Sequence, residues 1–222
     1  MVVLDNENVK LEKLEIDIAK TGHITNTYIL KDKVTQKVAV VDPAYDADYI
    51  KSHIDGTLDC VIITHAHADH IAALAELVNE TNARVYIYEK EVTALYDKTL
   101  NAEEKVGAKV LPVDESKLAI VQDGDIIQLG NISLEVIHTP GHTSGSMILL
   151  DKTNNVLFSG DTIFENSYGR TDLINGNHEE MGDSLKKIFS NLDNPKVFSG
   201  HGRDFYLRDS ERKVLLLYSI SM

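Results

Sequence analysis

The chain has 222 residues, 43% apolar and 26% charged, a balance that supports a packed core and excludes a disordered polymer. A formal net charge of −13 opposes binding to nucleic acid, which needs protein cations to displace counterions from phosphates. No apolar run reaches the roughly eighteen residues of a membrane span, and a single cysteine excludes an internal disulfide.

Residues 1–20 carry Asp, Glu and Lys throughout, unlike the apolar stretch of a secretory signal, so a cytoplasmic setting is expected. VKLEKLEIDI over 9–18 alternates apolar and polar residues and predicts a half-buried strand. TNTYILK and KVAVVDP follow, separated by the polar KDKVTQ, and predict a hairpin. Residues 46–54 suit a short helix. CVIITH is a compact apolar run best read as an interior strand, with Cys60 a buried small hydrophobe rather than a nucleophile. From Asp69 the period changes: Ile71, Leu74, Ala75 and Val78 recur at helical spacing, with Asp69 placed to cap the first turn. RVYIYE returns to strand, and 89–100 suits a helix.

The second half repeats this grammar. DIIQLG, ISLEVIH, GSMILLD and NVLFSGD are short strands broken by Gly, Asn or Pro. Residues 178–192 form an amphipathic helix with Met181, Leu185, Ile188 and Phe189 on one side. KVFSG is a last strand, and 211–220 fits either helix or strand. With no linker between the halves, the pattern predicts one domain over 1–222, two sheets packed together with helices outside.

Directly after the strand CVIIT comes Thr64-His65-Ala66-His67-Ala68-Asp69-His70. In an extended strand end, residues two apart point the same way, so His65 and His67 can hold one ion. The helix beginning at Asp69 turns the chain, and Asp69 and His70 approach from another direction, which suits a second ion. Zinc and its neighbours accept neutral imidazole and carboxylate, and this segment supplies both. Four donors cannot complete two sites, so others are expected where apolar strands end. His142 in HTPGHTSGS, Asp161 in FSGDT and His201 in FSGHG each stand beside glycine at such an end.

His-x-His-x-Asp-His, then Gly-His, Ser-Gly-Asp and Gly-His, in this order, resembles the metallo-β-lactamase superfamily from about residue 10 to residue 201. The resemblance implies an α/β fold, a four-layer αβ/βα sandwich of two mixed β-sheets with helices on the outer faces. It implies two divalent metal ions, zinc first, with iron or manganese as alternatives. His65, His67 and His142 would hold one, Asp69, His70 and His201 the other, and Asp161 would bridge them. Two aspartates and a bridging hydroxide leave such a site slightly cationic, with water activated near neutral pH. The implied reaction is attack of metal-bound hydroxide on a carbonyl carbon, with Asp69 carrying a proton to the leaving group.

The stretch GDTIFENSYGRTDL resembles the corresponding segment of glyoxalase II-like (hydroxyacylglutathione hydrolase-like) proteins, which hydrolyse thioesters. This implies a small-molecule acyl thioester as substrate, with Arg170 contacting an anionic group on it; pairing of Arg170 with Asp172 on the surface is the alternative. Larger members carry a helical extension that contacts glutathione, whereas 21 residues follow His201 here, so the small branch is the better match and glutathione is not implied. A mononuclear iron persulfide dioxygenase of the same superfamily shares the Gly-Arg-Thr-Asp segment and is the main rival. A lactonase of the fold comes next, and a metal-stabilised binding module without turnover last. Of the remaining polar residues, His138 is expected to support or pack beside the ligands. His23 is expected in a surface turn, with lining of the substrate mouth as the alternative, His53 and His178 at solvated helix positions, and Asp42 beside the site or in the turn before Pro43.

Overall fold

The computed structural model describes residues 1–18, 22–79 and 81–221. Short polar turns between β-branched runs fold the N-terminal part into an antiparallel meander of β1 (Val2–Asp5), β2 (Val9–Asp17), β3 (Ile24–Asp32) and β4 (Lys37–Val41). The chain then crosses over three times, so β5 (Thr57–Ile63), β6 (Arg84–Tyr88) and β7 (Leu118–Val121) add in parallel. The result is a seven-stranded mixed sheet in the order β1 to β7. The crossovers carry α1 (Ala47–Ser52), α2 (Ala68–Ile71), α3 (Leu74–Asn79), a 3-10 segment at Glu89–Leu95, and α4 (Glu103–Val106).

The second sheet begins with β8 (Ile126–Leu129), β9 (Ile132–His138), β10 (Met147–Asp151) and β11 (Val156–Gly160), all antiparallel neighbours. A small hairpin of β12 (Ile163–Phe164) and β13 (Ser167–Tyr168) and then α5 (His178–Asn191) lead to β14 (Lys196–Ser199), which joins β11 in parallel. β15 (Phe205–Tyr206) completes the order β15-β14-β11-β10-β9-β8, and α6 (Leu207–Ile220) follows. The fold is the expected α/β sandwich of two mixed sheets with outer helices.

Apolar residues segregate into the three interfaces that four layers require. Val61, Ile63, Ile71, Leu74 and Leu77 belong to the layer between the first sheet and its helices. Tyr28, Ile62, Leu134, Phe158 and Phe198 fill the space between the sheets, where Tyr28 meets both phenylalanines edge to face at 5.4 and 5.7 Å. Met181, Leu185, Ile188 and Phe189 of α5 pack on Ile148 and Leu157 of the second sheet. Each such side chain contributes about 1.5–3 kcal/mol by leaving water. α5 starts where Asn177 accepts from the Glu179 and Glu180 N–H groups at 3.0 and 3.2 Å.

Several local expectations are revised. The strand at 9–17 keeps its period of two but changes which face is apolar: Val9 and Leu11 face the second sheet, whereas Leu14 and Ile16 face the helices. Lys13 therefore falls on the inter-sheet face, where it is buried and donates to the Gly202 carbonyl at 2.6 Å. The helix expected from Asp69 is two short helices, and its N-cap position is His67; Asp69 lies within the first turn, facing the site described below. Segment 211–220 is helical, as part of α6. Short elements at β1, β7 and the β12–β13 hairpin carry too few residues for a periodic signal. Among the described residues no helix is long and apolar enough to cross a membrane.

Candidate metal centre

Three strands deliver the candidate donors as they end. β5 leads into His65 and His67, β11 into Asp161, and β14 into His201, while the β9–β10 connection carries His142. Because β11 and β14 run parallel, their ends reach the same edge of the sandwich. All seven sequence-predicted candidates meet there. One nitrogen from each of His65, His67 and His142 lies within 4.8 Å of the other two, and the same holds for one donor atom each of His70, Asp161 and His201. Asp161 spans the groups: Oδ1 is 3.4 Å from His70 Nε2, and Oδ2 is 3.5 Å from His142 Nε2 and 3.3 Å from His201 Nε2. Asp69 Oδ2 lies 3.3 Å from His201 Nε2 and 3.5 Å from His70 Nε2.

These spacings suit donors around cations, and the polar accounting agrees. His65 Nε2, His70 Nε2 and Asp161 Oδ1 are buried with no hydrogen-bond partner, a costly arrangement unless an ion takes their lone pairs. Gly200 lies against this cluster, and a Cβ there would overlap Asp161 Oδ1 and approach His70 Cε1. The residues therefore fit two divalent ions.

Hydrogen bonds behind the rings fix which nitrogen faces inward. His70 Nδ1 pairs with Asp42 Oδ2 at 3.0 Å, His142 Nδ1 with the Arg170 carbonyl at 2.8 Å, and His201 Nδ1 with the Ile24 carbonyl at 2.6 Å. A buried Asp42 also accepts from the Thr64 N–H at 2.8 Å and the Thr64 hydroxyl at 2.6 Å, so its oxygens support the site rather than join it. Across the sheets, Asn26 Nδ2 and the Tyr28 hydroxyl donate to the Ser199 carbonyl at 2.8 and 2.6 Å, holding the turn that presents His201.

Electrostatics divide the histidines. Burial pushes His65 well below its ordinary pKa and His67 down to about 3, so both are neutral and ready to bind. Burial opposes charge on His70 as well, yet Asp161 and Asp69 raise it to about 9. His201 rises to about 11 against its burial, through Asp161 and Asp69. Burial likewise opposes ionisation of Asp69 and Asp161, but the neighbouring His70 and His201 hold both carboxyls well below the usual range.

Sequence reasoning missed one side chain. Glu91, 1% exposed, accepts from the Ala66 N–H at 2.8 Å and the Gly145 N–H at 2.9 Å, tying the loop of His65 and His67 to the loop of His142. No local motif marks it. His23 takes its alternative setting at the cavity mouth rather than a surface turn, and extends toward the centre, with Nε2 3.0 Å from Asp69 Oδ2. The other polar residues are less central. His138 stacks on Tyr88, with centroids 4.2 Å apart. His178 is not solvated but half-buried and stacked on Tyr218 at 4.6 Å. His53 pairs with Glu12 at 3.4 Å. Cys60 is buried, which pushes its thiol up to about 12, as suits an inert core residue.

A cavity of about 480 Å³ opens over the donors, walled by Ala102, Lys105, Val106, Arg170 and Leu173. Arg170 lines this cavity and pairs with Asp172 through two bonds of 2.7 Å, the surface pairing expected as the alternative to substrate contact. A second cavity of about 510 Å³ beside α5 is lined by none of the candidate donors.

The chain is similar to known proteins over most of its length. A family model described as the metallo-beta-lactamase superfamily matches residues 21–201. The probable metallo-hydrolase YqgX of Bacillus subtilis (strain 168) is 33% identical over 167 residues, covering 73% of this chain and 79% of its own. Hydroxyacylglutathione hydrolase GloC of Haemophilus influenzae is 26% identical over 171 residues, covering 75% and 81%. Among solved structures, the BLEG-1 B3 metallo-beta-lactamase superposes with a TM-score of 0.82 at 27% identity, covering 91% of this chain and 96% of that one.

Proposed function

The chain belongs to the metallo-β-lactamase superfamily, and on that premise we propose that it hydrolyses small acyl thioesters with two divalent ions. The observation that carries this reading is the convergence of seven donors, three of whose buried polar atoms have no hydrogen-bond partner. His65, His67 and His142 would hold the first ion, Asp69, His70 and His201 the second, and Asp161 both. When bound, such ions supply Lewis acidity and lower the pKa of coordinated water towards about 7.

The protein's own residues do the rest. Asp69, on the cavity lining, accepts a proton from the attacking water as its oxygen bonds to the carbonyl carbon, and passes it to the sulfur as the C–S bond breaks. A thiolate is a better leaving group than an amine and depends less on a delivered proton, which favours a thioester over an amide. Ala102, Val106 and Leu173 offer an apolar seat for the acyl chain, while Arg170 and Lys105 present cations to an anionic substituent.

The test is a panel of thioesters, lactones and β-lactams run on protein of measured metal content. Thioester turnover that rises with metal loading and disappears on chelation is expected. Turnover of lactones alone, or oxygen uptake with one iron per chain, would overturn the assignment.

A further inference from the structure

His23 stands apart from the seven donors expected from sequence, at the end of the β2–β3 hairpin. Its side chain is half-exposed at the cavity wall, yet its Nε2 turns inward to 3.0 Å from Asp69 Oδ2. One donor atom each of His23, Asp69 and His201 lie within 4.8 Å of one another, the same compass as the other candidate triads. Its ring meets His201 edge on, with centroids 5.1 Å apart. Asp69 Oδ2 thus has three imidazole nitrogens within 3.5 Å, those of His23, His201 and His70, an arrangement expected of donors sharing one cation.

We propose that His23 is an additional ligand to the second ion, an inference that rests on the two-ion reading above. With His23 the second position has five protein donors: His23, Asp69, His70, His201 and Asp161. One solvent position then completes six. Six-coordination suits manganese or iron(II) better than zinc, which favours four protein donors in closed sites and three plus solvent in catalytic ones. The first position, with His65, His67, His142 and Asp161, keeps the lower number that suits zinc. The chain would thereby distinguish its two positions by coordination number rather than by charge, since an imidazole adds a donor without adding charge.

The experiment loads the full chain with a spin-active cadmium isotope and nitrogen-labelled histidine, and reads metal–nitrogen coupling in each assigned imidazole. His23→Ala assigns the His23 signal and serves as the affinity variant. Thr25→Val is its comparator, because the buried Thr25 hydroxyl donates to the same Asp69 oxygen at 3.2 Å without being a candidate ligand. The proposal expects coupling at His23 Nε2 alongside His70 and His201. It also expects second-ion affinity to fall by more in His23→Ala than the roughly 10–100-fold of a lost outer partner, as in Thr25→Val. Coupling at His70 and His201 with none at His23 overturns this inference and leaves the two-ion reading standing. Coupling confined to His65, His67 and His142 overturns the two-ion reading, and the role of His23 with it.

Discussion

Glu91 offers the most quantitative prediction of how the centre is held together. Its carboxylate is 1% exposed and accepts from two backbone N–H groups, Ala66 at 2.8 Å and Gly145 at 2.9 Å. Ala66 lies between His65 and His67, and Gly145 follows His142 by three residues, so one side chain fixes two loops that carry the first three histidines. Glu91→Ala leaves two buried donors unsatisfied at about 1–3 kcal/mol each, a loss of about 2–6 kcal/mol before any cavity forms. Glu91→Gln keeps the volume and one acceptor but turns an NH2 toward the other N–H, so about 1–3 kcal/mol is expected. Urea unfolding of the metal-free proteins measures both values, and chelator competition follows the first ion, whose affinity should fall about 10–100-fold in the glutamine variant. If Glu91→Ala unfolds within about 0.5 kcal/mol of the parent, the range of an ordinary surface change, the reasoning fails.

The remaining predictions concern protons, the substrate mouth and the core. At neutral pH the metal-free site holds His65 and His67 neutral but His70, near 9, and His201, near 11, protonated. The second ion must displace those protons, so between pH 6 and 8 its affinity should fall as pH falls, by about 100-fold per unit for two protons, while the first ion responds far less. Calorimetry in buffers of different ionisation enthalpy counts the released protons. Arg170→Ala should raise KM for substrates carrying a carboxylate with little change in kcat; its pair with Asp172 is exposed on both sides, so stability should move by less than about 1 kcal/mol. Leu185→Ala, at a fully buried position of α5, should destabilise by about 2–5 kcal/mol in urea without altering metal content.

The parts of the site legible in sequence are those whose geometry is local. His65 and His67 share a direction because a strand end imposes it, and the glycines beside His142, Asp161 and His201 mark sharp turns. Gly141 shows why: its φ is +137°, and a Cβ there would overlap the Met181 backbone at the start of α5. The amphipathic face of α5 was equally plain, since Met181, Leu185, Ile188 and Phe189 repeat at helical spacing and all are buried. The role of Glu91 and the contact of His23 with Asp69 were not legible, because the partners lie 25 and 46 residues away and neither spacing nor composition encodes such a contact. The burial of Lys13 was not legible for a related reason: the carbonyl that receives it, that of Gly202, lies at the far end of the chain.

The central claim is that the seven donors hold two cations with Asp161 between them. Anomalous diffraction from metal-loaded crystals of the parent chain and of Asp161→Ala tests it most directly. Two peaks are predicted in the parent, one among His65, His67 and His142 and one among Asp69, His70 and His201, with the second lost in the variant. No peak within this cluster, or two undiminished peaks without Asp161, would contradict the account.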